Sequence, residues 1–203
     1  MKNLTFAIAL LISVLLLACN AENGSSARFH ALDISEVGWG RGLELSDTSG
    51  ARRSLADFRG KVVVLFFGFT ECTDHCPTAL AEAAMLIRHL GKEGERVQVV
   101  FVTLDPERDT AERLSAYLSG FHPSFIALRG TPEETFKAAT EFKVFYAASD
   151  REGGREQEYS IEHSDAMFVL DPQARLRLYV SPRERSVQRM SDDIRLLLGS
   201  ASN

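Results

Sequence analysis

Lys61-Val62-Val63-Val64-Leu65-Phe66-Phe67 runs straight into Gly68-Phe69-Thr70-Glu71-Cys72-Thr73-Asp74-His75-Cys76-Pro77, and the fold turns on how that junction is read. The first half is a continuous apolar run rich in Val and Phe, which predicts a central strand buried on both faces. Beyond it, Pro77 fits the first turn of a helix. Leu80, Ala83, Ala84, Ile87 and Leu90 give that helix one apolar face, and Gly91 stands at its C′ stop. A strand therefore delivers Cys72 and Cys76 to the open end of a helix, where unpaired N–H groups and the helix dipole favour thiolate over thiol. Two activated thiolates can form a reversible disulfide or hold a soft metal ion, and the junction alone leaves both uses open.

The same punctuation continues on either side. Val97 to Leu104 predicts a second buried strand, and Asp109 with Glu112 forms a capping-box pattern for a helix reaching about Ser119. Thr131-Pro132-Glu133-Glu134 and Ser181-Pro182-Arg183-Glu184 each combine an N-cap hydroxyl, Pro at N1 and Glu at N3, predicting two further helices, the last ending near Gly199. Phe125 to Leu128, Ala166 to Leu170 and Leu176 to Val180 read as strands, the last two joined as a hairpin through Asp171-Pro172 to Ala174. Upstream, Leu43 to Asp47 and Ser54 to Phe58 flank a Gly50 turn and predict an N-terminal β-hairpin. Asp150 to Glu158 is charged and Gly-rich, an exposed excursion within an insertion near residues 147–162. Strands alternating with helices and closed by a terminal hairpin predict a single α/β domain over residues 38–200 with a mixed central sheet.

The N-terminus reads as a targeting segment. Lys2 precedes the apolar run Leu4 to Ala18, too short for a membrane span of about 20 residues, and the run ends in Leu16-Leu17-Ala18-Cys19. That ending resembles a bacterial lipobox, which implies a signal peptide over residues 1–18, lipidation of Cys19, and a tether over residues 19–37. The domain is then expected in the cell envelope, on the extracytoplasmic (periplasmic) side of the membrane that anchors it. Removing 18 of the 203 residues leaves 185, enough for one domain with a real core, and takes the formal charge from −5 to −6 because Lys2 is the only charged residue lost. With no basic patch, nucleic-acid binding has no support. Cys72 and Cys76 become the two remaining thiols. A structural disulfide across so short a loop would add little stability, which argues against a purely structural bond.

The details narrow the fold further. Phe66-Phe67-Gly68-Phe69-Thr70, Cys72 with Cys76-Pro77-Thr78, Leu104-Asp105-Pro106-Glu107-Arg108-Asp109-Thr110, and His163 ahead of a strand ending Leu170-Asp171-Pro172 together resemble the Sco/SenC family of copper-binding proteins, over about residues 38 to 198. The resemblance implies a thioredoxin-like fold and copper held by Cys72, Cys76 and His163, passed on to a partner such as the binuclear copper site of a cytochrome c oxidase subunit. The donor chemistry agrees: thiolates take Cu(I) readily, and imidazole is tolerated by both Cu(I) and Cu(II). Where a thioredoxin carries a proline before the strand facing its cysteines, this chain has His163-Ser164-Asp165. Thr73 departs from the family pattern, which often has proline there. Asp105, at the sheet end that bears the cysteines, is a candidate for supporting the metal from behind the ligands, and Asp109 for capping a helix. His75 reads as solvent-facing, and His30, His89 and His122 as structural or surface residues. The competing function is a thiol-disulfide oxidoreductase with Cys72 as attacking thiol. A peroxidase-like role lacks an activating arginine beside Cys72.

Overall fold

A computed structural model describes residues 28–150 and 159–200. The predicted signal peptide, Cys19, the first part of the tether and the excursion over residues 151–158 lie outside the described residues. Among those described, no helix is long and apolar enough to cross a membrane.

The junction behaves as its sequence requires. Val62–Gly68 forms strand β4, every residue of it buried, and His75–Leu90 forms helix α1. The strand is apolar throughout because it has two covered faces. Val62, Val64 and Phe66 pack under α1 and the C-terminal helix α4 (Val187–Ser200), while Val63, Leu65 and Phe67 pack on the other side against Leu55, Phe58 and Phe142. Parallel to β4 runs β5 (Val97–Thr103), followed by α2 (Ala111–Ser119), β6 (Ile126–Arg129) and α3 (Pro132–Glu141). On its other side β4 pairs antiparallel with β9 (Met167–Leu170), which turns back into β10 (Leu176–Val180). Strand, cysteine-bearing helix, crossover, hairpin and final helix make the thioredoxin-like core.

The edges of the sheet hold three differences from the sequence reading. β1 (Leu32–Asp33) pairs with β10, and the His30 and Ala31 N–H groups donate to Asp193 of α4 at 2.8 and 2.9 Å. Residues 28–37, assigned to the tether, are thus tied to the domain by backbone groups. The N-terminal hairpin is β2 (Glu44–Asp47) and β3 (Arg52–Ser54) about Gly50 at φ 85°; Leu55–Phe58, expected as strand, is a 3₁₀ turn. Its Leu55 and Phe58 must both face the core, which a strand's alternation would not allow at a three-residue spacing. The insertion carries its own ladder, β7 (Tyr146–Asp150) antiparallel to β8 (Tyr159–His163). The full main-sheet order is β1-β10-β9-β4-β5-β6-β2-β3.

Capping motifs divide likewise. Thr131 and Glu134 close a true capping box with Pro132 at N1. Ser181 and Glu184 make only half of such a box: Glu184 accepts the Ser181 N–H and hydroxyl, but its own N–H goes to the Ser181 carbonyl at 2.9 Å and closes a turn; the ladder of α4 begins when the Met190 N–H donates to Ser186 O at 2.9 Å. For α2 the N-cap is Thr110, whose hydroxyl accepts the Arg113 N–H, and not Asp109.

The β9–β10 turn is built on Asp171, 1% exposed at its side chain, which accepts the N–H groups of Gln173 and Arg175 at 3.0 Å and the Arg175 guanidinium at 2.8 Å. Burial works against its anion, but Arg175 and the turn N–H groups outweigh it and hold the carboxyl below the usual range. That contribution is present above about pH 4 and lost as pH falls through the folded-state value. Asp171→Asn is therefore expected to lower stability by about 1–2 kcal/mol at pH 7. In urea unfolding the gap between the two proteins should shrink at pH 3; an equal gap at both pH values would contradict the charge argument.

Candidate metal site

β4 ends at Gly68, a position that no larger residue fits. A Cβ there would lie 2.7 Å from Cys76 Sγ and 3.0 Å from Phe101 Cε2. The chain then leaves the sheet in a loop pinned from beneath: the Leu104 N–H donates to Gly68 O at 2.7 Å, and buried Asp109 accepts the Thr70 N–H at 3.1 Å, the Thr70 hydroxyl, and the Thr103 hydroxyl at 2.6 Å. Asp109 is the residue that the sequence places at a helix cap. Its carboxylate instead joins the cysteine loop to the end of β5, a contact across 39 residues with no local signature.

α1 opens without a side-chain cap from Asp74. The Cys72 sulfur takes that role, accepting the Cys76 N–H at 3.3 Å. Cys76 is fully buried, Cys72 partly exposed, and the two are unbonded thiols. His163, at the end of β8, brings Nε2 to 3.7 Å from Cys76 Sγ, its ring edge-on to Phe66 and Phe69. Its Nδ1 lies 2.9 Å from Ser164 O. A carbonyl can only accept, so Nδ1 carries the proton and, in the neutral ring, Nε2 turns a lone pair toward the sulfurs.

The donor atoms of Cys72, Cys76 and His163 all lie within 4.8 Å of one another. Metal–sulfur and metal–nitrogen bonds of about 2.0–2.3 Å need donors roughly 3.5–4 Å apart around a shared ion, so the group fits one metal with little movement. The electrostatics prepare it. The Cys76 thiol, donating to Cys72, holds the Cys72 thiol down to about 3 against its partial burial, helped by His163 and the N–H groups of Cys76 and Asp74. Cys76 is pushed up, because it keeps the shared proton beside an anion and is buried. Burial works against the imidazolium of His163, yet bonding to the Cys72 thiolate and to Ser164 O raises it overall. A soft cation can displace these protons and satisfy all three groups at once.

The group opens into a 460 Å³ cleft lined by Phe69, Cys72, His75, Ile161, His163 and Asp165. His75 is exposed, as expected, with Nδ1 3.7 Å from Asp165. Glu71 pairs with Arg113 of α2. Asp105 hydrogen-bonds none of the three donors among the described residues. It accepts the Arg108 guanidinium and the Tyr159 hydroxyl, the latter at 2.7 Å, and so steadies β8 four residues before His163. Arg108 stacks on the Tyr159 ring at 3.6 Å and donates to Tyr159 O at 2.9 Å. Cys19 lies outside the described residues.

A model of the SCO1/SenC family matches residues 38–199. The chain is 36% identical over 184 residues to the Bos taurus "Protein SCO2 homolog, mitochondrial", covering 89% of this chain and 68% of that protein. It also resembles the apo Sco1 solution structure from Thermus thermophilus, with TM-score 0.73 and 37% identity over 86% of this chain and 99% of that one. The ScoI structure from Bradyrhizobium japonicum with copper bound gives TM-score 0.70 and 29% identity over 78% of this chain and 98% of that one.

Proposed function

The chain belongs to the SCO1/SenC family, and from that membership together with the Cys72–Cys76–His163 group we propose that it is a copper-binding protein of cytochrome c oxidase assembly. The observation that carries the reading is the convergence of the three donors: the sulfurs of Cys72 and Cys76 and a ring nitrogen of His163 lie within 4.8 Å of one another, with His163 Nδ1 turned to the Ser164 carbonyl and Nε2 3.7 Å from Cys76 Sγ. Copper is cargo in this reading. Two thiolates favour Cu(I), the imidazole extends the site to Cu(II), and three protein donors leave a position through which a partner's ligand enters. Delivery to the binuclear copper site of an oxidase subunit follows by ligand exchange across the open cleft. Asp105 supports the site indirectly, through Tyr159 and β8.

Residues 1–18 act as a lipoprotein signal peptide, Cys19 carries the lipid, and the domain stands in the cell envelope on the extracytoplasmic side, beside a membrane-bound acceptor.

A second reading rests on the asymmetry of the cysteines. The partly exposed Cys72 thiolate attacks a partner's disulfide, releasing one partner thiolate and forming a mixed disulfide. Cys76, losing its proton, then displaces the second, leaving the partner reduced and this chain oxidised.

Titration of the reduced protein with Cu(I) and Cu(II) separates the two. We expect one copper per chain and, with Cu(II), a sulfur-to-copper charge-transfer absorption that shifts in His163→Ala. Unchanged copper binding in His163→Ala, with loss on cysteine substitution, would sink the three-donor site. No copper uptake together with turnover of a disulfide substrate establishes the oxidoreductase.

A further inference from the structure

Arg185 lies in the turn between β10 and α4, its side chain only 5% exposed. Two carboxylates face it. Glu82 of α1 places Oε2 3.5 Å from Nε, and Asp165 places Oδ2 3.5 Å from Nη2. Both contacts are ion pairs at the long end of the range. Arg185 Nε and Nη1 and Glu82 Oε2 make no hydrogen bond among the described residues. Asp165 also faces His75 at 3.7 Å.

The placement of these charges gives the turn a role. Glu82 stands six residues after Cys76 on the same helix, and Asp165 two residues after His163. The guanidinium therefore spans the two halves of the donor set without touching a donor. β8, which ends in His163, pairs in register with β7 alone and not with the main sheet. A ligand on such a strand needs something to fix its distance from α1. A guanidinium removed from water is costly unless carboxylates surround it, so moving either Glu82 or Asp165 away takes one of two ion-pair partners from a buried charge. The bridge therefore resists separation of the two segments. It differs in kind from hydrogen bonds such as that of Ser164 O, which set only the ring's orientation.

We propose that Arg185 is a positioning residue for His163, an ionic strut that holds the His163–Asp165 segment against α1 and so sets the imidazole's distance from the two sulfurs. The proposal rests on the copper-site reading above. It places the control of copper affinity partly in a turn remote from both cysteines in sequence.

The test is a double-mutant cycle read by Cu(II) affinity and absorption. Arg185→Gln keeps length and polarity but removes the charge. It should weaken Cu(II) binding roughly tenfold, the low end of the effect of groups that support ligands from outside, and move the charge-transfer band toward that of His163→Ala. Arg185→Lys, which keeps the charge, should recover part of the loss. In a His163→Ala background, Arg185→Gln should change affinity by less than about twofold, because the group it positions is gone. If Arg185→Gln does not fold, Asp165→Asn breaks the same strut from the other side and enters the same cycle. Equal losses in both backgrounds, or an unchanged band and affinity in the single variant, overturn the strut. Identical copper binding by wild type and His163→Ala overturns the three-donor reading instead, and the strut with it.

Discussion

Cys76→Ser is expected to abolish tight copper binding. The loss should exceed about 100-fold, the upper end of what groups outside the ligand set produce, because a donor itself is removed. The cost has two parts. A hydroxyl is a hard donor that stays protonated, so a soft ion keeps one thiolate and one imidazole. The Cys76 thiol also donates to Cys72, and it is the largest influence holding Cys72 as thiolate. Serine can donate in its place, so Cys72 should stay ionised and reactive toward alkylating reagents while copper is lost. Cys72→Ser differs. It puts a neutral hydroxyl where the thiolate stood and leaves Cys76 as the remaining thiol, buried beside His163 and held protonated by that burial. Both variants should lose copper, but only Cys72→Ser should lose rapid alkylation at pH 6. Copper retained stoichiometrically by either variant after competition with a soft chelator contradicts the assignment of two sulfur donors.

The parts of this protein legible from sequence are those whose cause is local or periodic. Val62 to Phe67 announces a strand covered on both faces because no position in it tolerates water, and the register places alternate residues in two separate cores. Thr131 to Glu134 is legible because its two capping bonds close within four residues. Ser181 to Glu184 shares the hydroxyl, Pro and Glu of that pattern but makes only half of its bonds: Glu184 accepts the Ser181 N–H and hydroxyl, while its own N–H goes to the Ser181 carbonyl and closes a turn. Arg185, the next residue, faces Glu82 and Asp165, partners that no local pattern announces.

The site divides along the same line. Cys72 and Cys76 are legible from their place at a strand–helix junction, which is a local fact. His163 has no local mark, being one of five histidines, and only the resemblance singles it out. Its ring is turned by the carbonyl of the next residue, Ser164, but what seats the strand that carries it, the Asp105–Tyr159 bond and the β7–β8 ladder, becomes visible only once distant segments meet. Asp109 is the clearest case of a residue read by its neighbours in sequence and used by its neighbours in space. Thr110 next to it supplies the cap hydroxyl, which frees the Asp109 carboxylate to turn inward.

Asp109→Ala should accordingly have the largest effect on stability among changes outside the hydrophobic core. The carboxylate is fully buried and accepts the Thr70 N–H, the Thr70 hydroxyl and the Thr103 hydroxyl. Its removal strands these donors in a site with little water, each at a cost of about 1–3 kcal/mol if nothing relaxes. The Thr70 loop is close enough to the surface to recover some contact with water, so a net loss of about 2–4 kcal/mol is expected. Asn fills the same space, and its amide oxygen still accepts the Thr70 N–H. The hydroxyls can rotate to accept from its NH₂, so Asp109→Asn should lose only about 1 kcal/mol. The functional consequence differs from that of a ligand variant. Loss of the anchor frees Gly68 to Thr70, and with them Cys72, while Cys76 stays fixed in α1. Copper should still bind one per chain with a thiolate charge-transfer band, but leave faster. Urea midpoints and the rate of copper transfer to a soft chelator test this together. A destabilised Asp109→Ala with unchanged release would show that the loop is held by the helix end alone and that Asp109 serves only the fold.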